Sequence, residues 1–325
     1  MKQLLFFVTA LILAVLPAKA QSTQVATLSH EGTITTFYSG NALKDAYAAA
    51  AEGDVITLSS GTFNAVNIEK NITLRGAGMM PNENPTVITG DITVKCPPSE
   101  TNYLTLEGFY HNGYLKFDNI YGMSNPKDVR IVKCQFKTFD FVAIDNLTAV
   151  NTFFSRFNGN GNSSGNFFNC YLGDASGYHG IKSATFTNCI LWCGANNIGS
   201  FYNSTFKNCI IGETGSAHYF PSSTMATYCY YYGGSKEPFK NSPTSTNVVM
   251  NDMGATDIFS DTDLQILKEE LQSTWLGDDG TQVGIYGGFL PFDPTPTNPQ
   301  ITKFNVASKT TADGKLSVDI EVKAN

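Results

Sequence analysis

A six-residue pattern, apolar-x-Asn-Cys-x-apolar, recurs through the middle of the chain at nearly constant spacing, and few folds accept such a sequence. It reads Phe186-Thr187-Asn188-Cys189-Ile190-Leu191, then Phe206-Lys207-Asn208-Cys209-Ile210-Ile211, and earlier Phe167-Phe168-Asn169-Cys170-Tyr171-Leu172. Looser copies begin at Ile131, Ala149 and Ala226. The fourth position falls at residues 134, 152, 170, 189, 209 and 229, so successive copies lie 18, 18, 19, 20 and 20 residues apart. A segment this short cannot bury an apolar face alone. Copies must stack, as parallel strands about 4.8 Å apart around one continuous core. The expected fold is all-β: a single-stranded right-handed parallel β-helix, or solenoid. Composition agrees, since 29 Gly, 15 Tyr and 23 Phe against 15 % charged residues describe turns and strands rather than helices.

Within a coil the register assigns roles. Phe186 and Leu191 point inward. The Asn sits at a bend between two strands, where a short polar side chain tolerates left-handed backbone and can hydrogen-bond along a ladder of like residues. The Cys beside it packs as a small hydrophobe. Parallel Cβ vectors on stacked strands hold neighbouring Cβ atoms farther apart than the roughly 3.8 Å a disulfide prefers. Seven Cys are therefore expected to form a thiol ladder rather than bridges.

The ends read differently. Lys2, an apolar run from Leu4 to Leu16, Pro17 and Ala18-Lys19-Ala20 before Gln21 describe a signal peptide over residues 1–20, cleaved near Ala20. The run is too short for a membrane span, and no later segment supplies one. The expected location is secreted or periplasmic. Losing Lys2 and Lys19 and no acid takes the net charge from −7 to −9, which disfavours a nucleic-acid partner. Ala42 to Glu52, behind the polar Ser39-Gly40-Asn41 and stopped by Gly53, reads as an N-terminal capping helix. The solenoid is expected over 21–290, with weaker coils around Cys96, Leu106 and Phe117, a short helix over Asp257 to Leu271, and a closing strand and turn over Gly280 to Gly288. Four prolines from Pro291 to Pro299 mark a stiff linker over 291–300. Residues 301–325, around Asp313-Gly314, read as a C-terminal β-hairpin tail.

The capping helix with Gly53-Asp54-Val55-Ile56-Thr57-Leu58, the coil Ile72-Thr73-Leu74-Arg75-Gly76-Ala77-Gly78, the Asn-Cys coils and the closing Gly284-Ile285-Tyr286-Gly287-Gly288 together resemble the pectin-lyase-like right-handed β-helix superfamily. More narrowly, they resemble the secreted β-helix proteins of polysaccharide-foraging Gram-negative bacteria. The resemblance covers roughly residues 40 to 290. It implies the fold, and it implies polyuronate cleavage wherever such a scaffold is an enzyme. The hydrolase branch carries Asn-Thr-Asp, Asp-Asp, Gly-His-Gly and Arg-Ile-Lys motifs. Here Gly177-Tyr178-His179-Gly180-Ile181-Lys182 matches only in part, no Asn-Thr-Asp exists, and Asp278-Asp279 lies far downstream. The lyase branch needs clustered carboxylates for calcium and an Arg or Lys base. Arg75, Arg130 and Arg156 stand in no such motif.

Column arithmetic supplies the remaining candidates. Four residues beyond each fourth position come Arg156, Asp174, Cys193, Glu213 and Gly233, which are expected to stack. Arg156 and Asp174 then pair, with His179 and Lys182 nearby on the same coil, either as a catalytic column or as a solvated ion pair worth less than about 1 kcal/mol. Tyr219, Tyr228, Tyr230, Tyr231 and Tyr232 form either a sugar-stacking platform or an aromatic ladder closing the last coils. No metal site is read: His179 and His218 align two coils apart, about 9.6 Å, too far to share an ion. No cofactor is implied, except calcium under lyase chemistry. The chain is thus expected to be an exported non-catalytic protein that binds extracellular glycan or serves a cell-surface structural or adhesive role. The alternative is a polysaccharide lyase or glycoside hydrolase.

Overall fold

A computed structural model of the chain describes residues 24–118, 125–142, 144–160, 163–179, 181–193, 201–213, 219–233, 238–242, 245–263, 265–297, 300–306, 313–315 and 317–323. The expected signal peptide over residues 1–20 lies outside them. The fold is an all-β parallel solenoid of about eight turns with three short helices. Strands Gly165–Phe168, Ala184–Thr187, Thr205–Lys207 and Met225–Thr227 lie in one sheet, so that Phe167, Phe186, Phe206 and Ala226 share a register position. After the bend, Tyr171–His179, Ile190–Cys193, Ile210–Glu213, Tyr230–Gly233 and Val249–Asn251 form a second sheet.

Between the sheets, Phe167, Phe186 and Phe206 stack at 4.9 Å centroid spacing, with interplanar angles of 13° and 8°. This near-parallel geometry comes from identical side chains on successive rungs, and it fills the core with few rotamer choices. All seven cysteines are free and buried. Burial pushes the Cys134 thiol up to about 12 and raises Cys189 and Cys229 well above the ordinary thiol range.

Backbone geometry at the bend matches its sequence. Lys133, Asn151, Asn169, Asn188, Asn208 and Tyr228 all have φ between 49° and 55°, the left-handed region in which Asn is the usual non-glycine residue. Asn169 and Asn208 do not bond to one another, however. They bind the returning C-terminal segment. Asn208 exchanges hydrogen bonds with Asp278, and Gly284 N–H donates to the Asn208 carbonyl. Asn169 Nδ2 donates to the carbonyls of Ile285 and Gly287 at 2.9 and 2.7 Å. Lys133 Nζ meets Asp293 at 2.9 Å and the Thr295 carbonyl at 2.8 Å, and Asn82 donates to the Pro294 carbonyl. The partners run from residue 208 back to 82, so residues 277–296 form a strap laid along the bend from late coils to early ones. Gly284, with φ +81°, allows the close approach: a Cβ there would stand 2.9 Å from Ile210 Cδ1.

Several sequence expectations change in detail. Before the helix, Val25–His30 and Thr33–Tyr38 form an antiparallel pair, with the first strand docked on Val55–Leu58. The helix is Ala42–Ala49 and makes no side-chain cap hydrogen bond. In place of one helix over Asp257 to Leu271 there are two single turns, Ala255–Ile258 and Glu269–Gln272. Gly280 to Gly288 forms no strand, because its alternating Val283 and Ile285 bury against the outside of the second sheet rather than pairing within it. Part of the proline-rich stretch is tied down by Lys133 and Asn82. The tail strands Gln300–Val306 and Val318–Lys323 pair antiparallel with each other.

Candidate functional site

The second sheet has two outward columns. One residue beyond the fourth position of each copy stand Gln135, Phe153, Tyr171, Ile190, Ile210 and Tyr230, and three residues beyond it Lys137, Ser155, Gly173, Trp192, Gly212 and Tyr232. Strand alternation sends both columns away from the core. The late half of the first column is apolar and is not left to water. Tyr171, Ile190 and Ile210 of that column, with Tyr232 of the other, bury against Ile258, Phe259, Leu267, Trp275, Val283 and Ile285, a second apolar core outside the solenoid. Gly212 provides the room: a Cβ there would fall 2.4 Å from Tyr232 and 2.7 Å from Trp192, so only glycine lets the two rings close over the rung.

This cover stops short of the earlier coils, leaving a cleft of about 820 Å³. Its floor is Gln135, Phe153, Ser155, Tyr171, Gly173 and Trp192. Phe153 and Tyr171 stack at 4.4 Å with a 3° interplanar angle. Phe153 and Trp192 stay half-buried, and Tyr171 is 7 % exposed. One wall is the strap, through Tyr286, Phe292 and Pro294, with Tyr286 and Phe292 edge to face at 6.0 Å. A second is Asp261, Thr262, Asp263, Gln265 and Ile266, and Met80-Pro81 closes the N-terminal end.

Three acidic residues line the cleft, Asp174, Asp261 and Asp263. Asp174 pairs with Arg156 at 3.0 Å, both half-exposed. Asp261 accepts the backbone N–H groups of Gln265 and Ile266 at 3.0 and 2.7 Å, holding its loop in shape. The Tyr171 hydroxyl is held up at about 12, first by burial and then by the negative charge of Asp261 and Asp263. Burial and Asp261 raise Tyr286 as well. Gln135 Oε1 is buried at the floor with no hydrogen-bond partner among the described residues. A buried acceptor of this kind is one that a ligand donor would satisfy.

Of the residues singled out from sequence, Arg156 and Asp174 do pair, and Asp174 lines the cleft. The column beyond them is shifted: Ala175, not Asp174, pairs with Cys193, because Asp174 at φ 38° sits in a bulge. Cys193 and Glu213 then face the core, where the Tyr231 hydroxyl donates to Glu213. The backbones of His179 and Lys182 pair with Asn160 and Tyr202, while their side chains, and all of His218, lie outside the described residues. The five tyrosines do not assemble into one platform. Tyr231 points inward and is fully buried, and Tyr232 is covered. Tyr230 stacks on Trp275 at 4.5 Å and donates to the Thr274 carbonyl. Tyr228 occupies the bend, partly exposed, and Tyr219 lies under Lys240. Sequence reasoning did not single out Phe153, Tyr171 and Trp192.

Among the described residues no group of three or more His, Cys, Asp or Glu is placed to hold a metal ion, and no helix is long and apolar enough to cross a membrane. Compared with protein-family models and with curated proteins, the chain matches none.

Proposed function

We propose that this is an exported, non-catalytic β-helix protein of the pectin-lyase-like kind that binds extracellular glycan in the cleft on its second sheet. One observation carries the reading: the half-buried Phe153 ring, stacked on Tyr171, floors an open cleft, while the neighbouring apolar residues of the same face, Tyr171 included, are sealed by the C-terminal segment. Ring surface left open between hydrogen-bonding side chains suits a sugar. Its C–H face packs on the aromatic groups, and its hydroxyls reach carboxylates and amides at the rim.

A catalytic reading has one feature in its favour. Asp174 from the sheet and Asp261 and Asp263 from the covering segment reach the same cleft, and glycoside hydrolysis uses two carboxylates. Lyase chemistry fits less well, because the described lining residues include no Arg or Lys to serve as base.

Incubation of the mature protein with insoluble and soluble glycans separates the readings. The expected outcome is retention without new reducing or unsaturated ends, and loss of retention in Tyr171→Ala with the far-ultraviolet spectrum unchanged. Release of ends, abolished by Asp174→Asn, replaces binding with catalysis. Absence of both retention and cleavage across the panel refutes the glycan reading.

A further inference from the structure

Charge in the cleft is one-sided. Asp174, Asp261 and Asp263 line it, and none of the described lining residues is Lys, Arg or His. Among the described residues, Asp174 alone of the three has a cationic partner, Arg156. Asp261 is engaged by two neutral backbone N–H groups, which hold the carboxylate in place without cancelling its charge. The exposed Asp263 has no bonded partner among the described residues. Two acidic residues without a cationic partner among the described residues therefore line the cleft whose floor is the Phe153 ring stacked on Tyr171.

We propose that the cleft selects glycans that carry no carboxylate, taking a neutral polysaccharide and discriminating against the polyuronates that the scaffold's resemblance suggests. This rests on the cleft being a glycan site. Neutral sugar hydroxyls donate to Asp261 and Asp263, and hydrogen bonds to ionised acceptors are the stronger kind. A donor from the ligand also satisfies the Gln135 acceptor. A uronate brings a third negative charge into the same space. At separations of about 6 Å in a water-like dielectric, two such repulsions weaken binding by about ten-fold at low ionic strength, and salt screens the effect.

The test is affinity electrophoresis and titration calorimetry of the mature protein. Galactomannan, xyloglucan and laminarin serve as neutral probes, and polygalacturonate and alginate as acidic ones, each at low and high salt. The expected result is binding of at least one neutral glycan, with the polyuronates about ten-fold weaker at low salt and the gap narrowing as salt rises. Asp263→Asn, on an exposed side chain, should narrow the gap at low salt, and Asp174→Asn is a second probe of the same field. Polyuronate binding as tight as the best neutral glycan overturns the selectivity and leaves the glycan site standing. A gap that neither variant nor salt moves also overturns it. Binding of no glycan of either class removes the site itself.

Discussion

Replacing Asn169 tests whether the asparagine column is a turn device, a latch for the strap, or both. Its backbone sits at φ 50°, and its side chain, 4 % exposed, donates to the Ile285 and Gly287 carbonyls at 2.9 and 2.7 Å. Asn169→Ala loses both hydrogen bonds, at about 1 kcal/mol each. It also places an alanine in the left-handed region, at about 1 kcal/mol more. The expected loss is about 3 kcal/mol. Asn169→Gly removes the strain but not the lost bonds, so about 2 kcal/mol should remain. A stack of coils need not unfold in one step, and the strap can open before the solenoid does. Hydrogen exchange resolved to residues 277–296 is therefore the primary assay, with urea unfolding of the mature protein beside it. Both variants should accelerate exchange in the strap, alanine more than glycine. Since Tyr286, Phe292 and Pro294 wall the cleft, glycan retention should weaken in the same order. A glycine variant as protected as the parent shows that the latch contributes nothing. Equal losses for alanine and glycine show that the turn conformation carries no strain.

The thiol ladder predicts that denatured protein titrates seven free thiols and native protein almost none at mildly alkaline pH, because all seven are buried and burial pushes Cys134 up to about 12; a denatured count lower by two means that a disulfide has formed. The strap should also loosen in acid. Hydrogen bonds from Lys207 and Asn208 hold the Asp278 carboxyl below its usual 3.8, and at Asp293 bonds from Thr295 and Lys133 outweigh the upward push of burial. Both pKa values are depressed on folding, so their stabilisation is complete above about 4 and is lost as pH falls through the lower folded values. The strap's opening equilibrium, taken from exchange rates divided by the intrinsic rate at each pH between neutral and about 3, should rise at the acid end, and Lys133→Ala with Lys207→Ala should reduce that rise; a pH profile unchanged by the double substitution refutes the assignment.

The solenoid is legible in the sequence because its period is rigid. Once residues 134 to 229 fix the register, Phe186 and Leu191 must face inward, and the residue before each fourth position of the repeat must take the bend, as its φ confirms even where Lys133 or Tyr228 stands there. What lacks a period is harder to read. Val283 and Ile285 alternate as in a strand, but alternation reports only a half-buried surface. Nothing local tells burial inside a sheet from burial on top of one. The Asp174 bulge likewise leaves no mark in the spacing, yet it displaces the charge column by one residue.

The cleft was nevertheless written in the same register, a few positions from the column that carries the charges. Phe153, Tyr171, Ile190, Ile210 and Tyr230 follow the bend by one residue too many to face the core, so a bare solenoid would expose a continuous apolar stripe. Stripes of that size are covered or used. The chain after residue 251 provides cover for Ile190, Ile210 and nearly all of Tyr171, and it leaves Phe153 half-buried. The site arises where the cover ends. In a solenoid, then, an apolar outward column is the sequence signal to follow, and the rungs its cover leaves open are the candidates for a ligand site. The tyrosine cluster at 228–232 stands out by its density, but density does not set direction: Tyr231, two residues after Cys229, faces the core as fully as Leu191 and Ile211 do.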